Sequence, residues 1–571
     1  MSKYPKKKLA QLLLQACVNH GIENVVISPG SRNAPLTLGF VNHPKINALS
    51  LVDERCAGFF ALGMAQQIQK PVALLCTSGS ALLNYYPAIA EAYYSKIPLV
   101  LISADRPKHL IDIGDGQTIR QENVFANHIL YQANLVGEAV SFQKGENSER
   151  LMENAELVEE ALTCAKEKIG PVHINIPFDE PLYETVDFLY DFSALGNKEV
   201  VLPASLLNEE PIPVEELQKF ADIWNGSDKK MVLPGSNFPD DLLQTQMSHL
   251  VKDPSVLILT ETTSNLKGDG FVNNIDQLIF PLDKSELEEL RPDILLTFGG
   301  MVVSKKIKQF LRNYPPKLHW HIDAHGALDT YHCLSHHFGI SPQLFFSQFF
   351  FLTKNVSSPY QKYWLDIRAQ RKIHHGDFLN RVEYSDLLVF DKVLSSLPKN
   401  INLQLSNSSI IRYAQLFDLE PSLKVFCNRG TSGIDGSTST ALGAAYTQKG
   451  QTVFITGDIS FFYDSNALWN KYIPENFRII LINNGGGGIF RFIPGPKASD
   501  ALDFFETTHD LKASHLCEMY GLSYMNAKNT GELENRLKAF YEDQGKPKLL
   551  EIFTPNERND ICLKEYFKAL S

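Results

Sequence analysis

The sequence lacks the features that mark several common functional classes. It has no excess of basic charge: 54 Lys+Arg against 65 Asp+Glu leave a net charge of −11. A global nucleic-acid footprint is therefore excluded, and any anion site has to be built locally, against the overall field. The eight cysteines (Cys17, Cys56, Cys76, Cys164, Cys333, Cys427, Cys517 and Cys562) are scattered, with no CxxC. That removes zinc-type spacing and leaves buried, reduced thiols of a cytoplasmic protein as the expectation. No apolar run reaches the 18 residues of a membrane span. The basic, then apolar start, MSKYPKKKLAQLLLQACV, is interrupted by Gln11 and Gln15 and keeps Leu9, Leu12, Leu13 and Ala16 at helical spacing. It reads as an amphipathic helix, not a targeting segment. There is no low-complexity tract or short repeat, no GxGxxG after the first strand and no GxxxxGK[ST]. The usual nucleotide-binding loops are thus absent.

What is present is a rhythm. Short β-branched runs alternate with helical stretches across 571 residues, too many for one core. In the first block they are VVIS (25–28), LSLVD (49–53), VALLCT (72–77), PLVLISA (98–104) and PVHINIP (171–177). The pattern lapses over 186–211, resumes with MVLPG, VLILTET, DILLTFGG and LHWHID, and lapses again over 356–375. A third block carries NLQLSNS, KVFCNRG, TVFITGD, RIILINNGG and KLLEIFT. Continuous apolar strands between helices indicate parallel sheets covered on both faces. The expected fold is α/β: three successive doubly wound domains at 1–185, 212–355 and 376–571, joined by linkers.

In open α/β sheets, ligands bind beyond the carboxyl ends of the strands. After TVFIT comes GDIS, and after RIILI comes NNGGGG, which puts Asp458 and Asn484 26 residues apart. One strand–helix–strand passage of that length returns the chain to the same sheet edge, one strand over. A carboxylate and an amide oxygen then stand together as hard donors for Mg²⁺, which keeps phosphate oxygens and waters as its other ligands. A helix opening near Ser460 aims its N–H groups at the same place, which favours a diphosphate. The four glycines let the backbone approach closely.

This GD…NN pattern resembles the thiamine-diphosphate-dependent enzyme superfamily. The resemblance implies a pyrimidine-binding domain (1–185), a central domain (212–355) and a diphosphate-binding domain (376–571). It implies Asp458, Asn484 and the carbonyl of Gly486 as ligands of Mg²⁺ or Mn²⁺. It also implies a glutamate at the end of the second strand, where the chain has LVDERCAG with Glu54. In the superfamily that residue hydrogen-bonds the aminopyrimidine of the cofactor and shifts its tautomer, while the carbanion chemistry belongs to the cofactor. Because the glutamate and the metal motif come from different subunits there, a homodimer or dimer of dimers with shared sites is implied.

SPGSRNAPLTL (28–38), SADRP (103–107), GQTIRQEN (116–123), SNSSIIR (406–412), NRGTSGIDG (428–436) and NNGGGGIF (483–490) narrow the resemblance. They are similar to the 2-succinyl-5-enolpyruvyl-6-hydroxy-3-cyclohexene-1-carboxylate synthases of menaquinone biosynthesis. Those transferases decarboxylate 2-oxoglutarate and add the succinyl carbanion to isochorismate. Both substrates are dicarboxylates, so their partners have to be cations and hydroxyls at strand ends. Ser31, Arg32, Arg106, Arg412 and Arg429 fit that need, since arginine pairs bidentately with carboxylates. By motif position, Arg32, Arg106 and Gln117 face isochorismate, and Arg412 reaches the other acid or the intermediate. Ser408, Ile434, Ile459, Ser460 and Ile489 contact the cofactor, with Ile434 beneath it, and Phe490 and Ile493 pack on the substrate. Lys305 and Lys306 match a basic pair near the carboxylates. A Lys-Lys pair lacks the fork of the Lys-Arg pair of some relatives, and a solvated helix start would read the same way.

His319, His321, His325, His332, His336 and His337 are grouped without a compact HxxxH, and the expectation is no zinc site. Two other readings compete. An acetolactate-synthase-like carboligase would not need Arg32, Arg106 and Arg412 together. A non-catalytic nucleotide-binding regulator would have no use for Glu54. Neither nucleic acid nor membrane is an expected partner.

Overall fold

The computed structural model describes residues 3–137, 146–192, 209–492, 495 and 499–571. Three six-stranded parallel sheets form its frame, as expected of three doubly wound α/β blocks. The first runs, in spatial order, through Asn47–Ser50, Asn24–Ile27, Val72–Cys76, Leu99–Asp105, Val172–Pro177 and Tyr131–Asn134. The third runs through Lys424–Cys427, Asn402–Leu405, Thr452–Gly457, Phe477–Asn483, Lys548–Phe553 and Ser523–Ala527. Numbered within each sheet, both follow the order 2-1-3-4-6-5, so the two outer sheets share one topology. The middle sheet has the order 3-2-1-4-5-6, with Lys230–Pro234 and Ile294–Phe298 at its centre.

Burial on both faces explains the near-continuous apolar strands. In the strand Lys230–Pro234, Val232 joins one hydrophobic core while Met231 and Leu233 join another on the opposite face. Strands that the sequence pattern missed (Tyr131–Asn134, Phe271–Val272, Leu334–Phe338 and Ser523–Ala527) are all sheet edges. An edge strand is paired on one side only and needs a weaker apolar run.

The helix Lys8–Asn19 has the amphipathic character read from its spacing, burying Leu9, Leu12 and Leu13. Gln11, expected to interrupt an apolar run, is itself buried and donates to the Pro5 carbonyl at 2.8 Å. Residues 356–375, expected as a linker, are largely taken up by the helix Tyr360–Leu379. Its Trp364 is buried in a core of the middle sheet and its Phe378 in that of the third. The lapse in β-branched residues there marks a helix, not a loss of structure. Of the other expected linker, 186–211, residues 193–208 lie outside the described residues.

By packing, the described chain divides into two compact units. One holds the first sheet together with Gly430–Lys449 and Ser460–Phe477; the other holds the middle and third sheets. In the first unit the helix Glu54–Ile68 lies against the helix Ser437–Thr447 through glycines. A Cβ on Gly63 would sit 2.0 Å from the Thr440 carbonyl oxygen, and one on Gly443 would sit 1.9 Å from that of Phe60. Only glycine admits such an approach of two helix backbones. Among the described residues no helix is long and apolar enough to cross a membrane.

Candidate active site

The third sheet brings Asp458 and Asn484 to neighbouring strand ends, as their spacing implied: Thr452–Gly457 lies beside Phe477–Asn483. Asp458 is the first residue of its helix, two positions earlier than expected. Its Oδ1 accepts from the Ile459 N–H at 2.7 Å, and its Oδ2 accepts from those of Gly485 and Gly486 at 2.8 and 3.0 Å. Gly485 and Gly486 have φ of 77° and 154°, which side chains rarely adopt, so the glycine run is required by its conformation. Asn484 donates through Nδ2 to Asp386 at 3.1 Å, and its Oδ1 is buried with no hydrogen-bond partner. A buried acceptor left open beside a carboxylate fits a hard divalent cation. The Gly486 carbonyl accepts from the Gly488 N–H at 3.0 Å and has a second lone pair to offer. His509 Nε2 stands 3.5 Å from Asp458 Oδ2, and that carboxylate raises the imidazole pKa.

The loop after Asn484 is fastened by Glu506. Its carboxylate pairs with Arg491 at 2.5 and 2.8 Å, and its carbonyl accepts from the Gly487 N–H. Phe490 lies 5.5 Å, ring to ring, from Phe505. Ile493 lies outside the described residues. In the same unit Ser408 has φ 66°, a strained value for serine, and its carbonyl accepts from Arg412. Backbone strain of this kind is kept where function demands it. Arg412 and Ile489 line one cleft together with Asp276, Asp386 and Phe492. Burial and the neighbouring Arg429 lower the Arg412 pKa. Arg429 is buried and donates to Asn407 Oδ1 at 2.7 Å.

Lys305 and Lys306 open the helix Lys305–Asn313 and are exposed. Two cations at a helix N-terminus oppose the helix dipole. Acid side chains fasten that helix start: Glu261 accepts from the Val303 and Ser304 N–H groups at 2.6 and 2.7 Å, and Asp276 accepts from the Ser304 hydroxyl. Lys306 Nζ lies 4.5 Å over the Phe280 ring. Burial pushes Glu261 up to about 7. At the middle sheet's change of strand order, a Cβ on Gly235 would lie 1.8 Å from the Gly300 carbonyl oxygen. The two loops touch where a doubly wound fold would seat a nucleotide, which counts against the regulator reading. His319 and His321 share the Thr297 hydroxyl, each at 2.8 Å. Among the described residues no group of three or more His, Cys, Asp or Glu could hold a metal.

In the first unit, the carboxyl edge of the first sheet gathers Arg32 and Arg106. Arg32 is 5% exposed, donates to the Phe178 carbonyl at 2.9 Å, and stands 3.3 Å from Glu180. Burial and the neighbouring Arg106 lower its pKa. Arg106 donates to the Gly116 carbonyl and faces Asp115 at 3.5 Å. The Nε atoms of both arginines are buried without a partner, so each keeps a donor in reserve. Ser31, next to Arg32 in sequence, and Gln117, next to Gly116, are exposed, Gln117 with φ 54°. Glu54 begins its helix, capped by Asp53, and accepts from Asn84 at 3.2 Å. Ser460 donates to the Ile434 carbonyl at 2.6 Å, which joins two residues expected at the cofactor.

Comparison with known proteins bears on this arrangement. Residues 7–129 match the family model "Thiamine pyrophosphate enzyme, N-terminal TPP binding domain", and 408–552 match "Thiamine pyrophosphate enzyme, C-terminal TPP binding domain". A 2-succinyl-5-enolpyruvyl-6-hydroxy-3-cyclohexene-1-carboxylate synthase of Flavobacterium johnsoniae is 52% identical over the full length of both chains. The chain belongs to this synthase family. Proteins of the same name from Christiangramia forsetii and Porphyromonas gingivalis are 54% and 37% identical, covering all of this chain and 100% and 98% of theirs. It is a transferase of the thiamine-diphosphate class, and the acetolactate-synthase-like alternative gives way to the synthase reading.

Sequence reasoning missed the residues that hold this synthase's motifs in place. Asp386, 3% exposed, bonds Asn484, and burial pushes its carboxyl up to about 6. Glu91, 1% exposed, accepts from the N–H groups of Gly430 and Thr431 at 2.7 and 2.6 Å, fastening part of the NRGTSGIDG loop. Glu551 accepts from Asn483 at 2.8 Å. None lies in a motif, and each is distant in sequence from what it holds. Their only sequence signal is an acid within an otherwise apolar stretch, which is too common to single them out.

Proposed function

We propose that this chain decarboxylates 2-oxoglutarate and adds the remaining succinyl unit to isochorismate. The product is 2-succinyl-5-enolpyruvyl-6-hydroxy-3-cyclohexene-1-carboxylate, with CO₂ released, in menaquinone biosynthesis. The observation that carries the site reading is the buried, unpartnered Asn484 Oδ1, which follows the strand next to the one that Asp458 follows. Asp458, Asn484 and the Gly486 carbonyl would hold Mg²⁺ or Mn²⁺; Ser408, Ile434, Ile459, Ser460 and Ile489 would hold the cofactor. When bound, thiamine diphosphate supplies the electron sink for the charge left by CO₂. The chain supplies the rest. Glu54 holds and returns a proton at the aminopyrimidine. Arg32 and Arg106, with Ser31 and Gln117, orient the acceptor's carboxylates through charge-assisted bonds. Arg412, Arg429, Lys305 and Lys306 offset the remaining negative charge, and the apolar Phe490 and Ile493 limit water. The reading includes three domains at 1–185, 212–355 and 376–571, a cytoplasmic location, and a homodimer or dimer of dimers in which two copies complete each site.

The test is incubation with thiamine diphosphate, Mg²⁺, 2-oxoglutarate and isochorismate, with mass detection of the adduct. The expected result is isochorismate consumption that depends on both additives. A parallel arm offers pyruvate in place of 2-oxoglutarate. Turnover with pyruvate alone would favour an acetolactate-synthase-like activity and refute the proposal.

A further inference from the structure

An asparagine side chain is a metal ligand through one of its two ends only. Its oxygen can bind a cation and its NH₂ cannot, yet the two ends have nearly the same shape. Something has to decide which end faces the metal. For Asn484 the structure contains one such determinant, remote in sequence. Asp386 begins the helix Asp386–Ser395 and is almost fully buried. Its Oδ2 accepts from Asn484 Nδ2 at 3.1 Å. Its Oδ1 accepts from the Thr554 hydroxyl at 2.6 Å, and its backbone N–H donates to Asn559 Oδ1 at 2.8 Å. Thr554 thus holds the carboxylate and Asn559 holds the backbone that carries it, both independently of Asn484. An ionised carboxylate accepts only, so it can meet the NH₂ end of the amide and never the oxygen. With Nδ2 committed, Oδ1 is turned the other way, and it is this atom that is buried with no partner.

We propose that Asp386 is a positioning residue for the divalent cation. It fixes the Asn484 amide so that Oδ1 is presented to the metal, with Thr554 and Asn559 holding Asp386 in turn. This deepens the reading of Asp458 and Asn484 as metal ligands and rests on it. Outer partners of this kind set ligand orientation, and losing them typically costs about 10–100-fold in metal affinity.

The test reads Mn²⁺ affinity directly, by the loss of the free-ion paramagnetic resonance signal in the presence of thiamine diphosphate. Wild type should bind Mn²⁺, and failure there would refute the metal site itself. With wild type binding, Asp386→Ala should weaken Mn²⁺ by about 10–100-fold. The decisive variant is Asp386→Ala combined with Asn484→Asp. A carboxylate has no wrong end, so the pair should recover affinity to within a few-fold of wild type. A packing defect at position 386 would persist in the pair and would not be rescued. Unchanged affinity in Asp386→Ala, or no recovery in the pair, would overturn the inference. Should Asp386→Ala not fold, Asp386→Asn with Asn484→Asp exchanges charge and amide across the same hydrogen bond. Retained Mn²⁺ binding in that variant supports the inference, and its loss overturns it.

Discussion

Gly63 gives the sharpest stability prediction, because the sign of the effect is at stake. Alanine is favoured over glycine in a helix interior by about 1 kcal/mol, so at an open position Gly63→Ala would stabilise the protein. At this position the new Cβ would lie 2.0 Å from the Thr440 carbonyl oxygen, 2.8 Å from its carbon and 2.9 Å from the Ala444 nitrogen. All three are backbone atoms of the facing helix, so no side chain can swing aside. A carbon–oxygen contact needs more than 3 Å, so the two helices have to part by about 1 Å, opening gaps along a packed face. Overpacking of this kind costs about 1–3 kcal/mol, and more where backbone has to move. Set against the helix gain, the net expectation is a loss of about 2 kcal/mol or more. Gly443→Ala should cost a similar amount, since its Cβ would meet the Phe60 carbonyl at 1.9 Å. The double variant should cost less than the sum, because parting the helices for one methyl makes room for the other. Thermal unfolding, with hydrogen-exchange protection over 54–68 and 437–447, is the assay. A higher midpoint and unchanged protection in Gly63→Ala would refute the close-packing argument. Glu54 opens the first of these helices, so activity should fall with protection.

Glu54→Gln should slow exchange of the cofactor's thiazolium C2 proton with deuterated solvent by about 10²–10⁴-fold with little change in cofactor affinity, and wild-type exchange would remove Glu54 from that role. Asp458→Ala should lower Mg²⁺-dependent thiamine diphosphate affinity by more than about 100-fold in calorimetry, as loss of an inner ligand exceeds loss of an outer one. Arg32→Ala should raise the isochorismate KM by about 10–100-fold, the worth of a charge-assisted hydrogen bond. Stopped-flow decarboxylation of 2-oxoglutarate should stay near wild type in that variant, and equal loss in both would place Arg32 elsewhere. Glu261, pushed up to about 7 by burial, keeps its proton in the folded state between about pH 4.5 and 7 while the unfolded chain loses it. Stability should therefore fall as pH rises through that window, by at most about 1.4 kcal/mol per unit. Glu261→Gln should flatten that slope in denaturant titrations at pH 5, 6 and 7, and identical slopes would refute the assignment.

Much of this protein was determined by local pattern. Central strands such as Val72–Cys76 and Leu99–Asp105 are buried on both faces, so their apolar runs had to be continuous and were legible. The spacing of Asp458 and Asn484 is one strand–helix–strand passage, so their meeting at one edge followed from chain geometry alone. Gly485 and Gly486 announced a backbone that no other residue adopts easily. Four edge strands, Tyr131–Asn134, Phe271–Val272, Leu334–Phe338 and Ser523–Ala527, were not legible, because a strand paired on one side tolerates polar residues. The helix Tyr360–Leu379 hid for a related reason: it buries only Tyr360, Trp364 and Phe378, too sparse an apolar face to show as a period. The partners of the site residues were decided by tertiary structure alone. Asp386 reaches Asn484 across 98 residues, and Glu91 reaches Gly430 across 339. A motif records which groups do chemistry, because those must be of one type at one spacing. The groups that hold them need only arrive at the right distance, and any part of the folded chain can supply them.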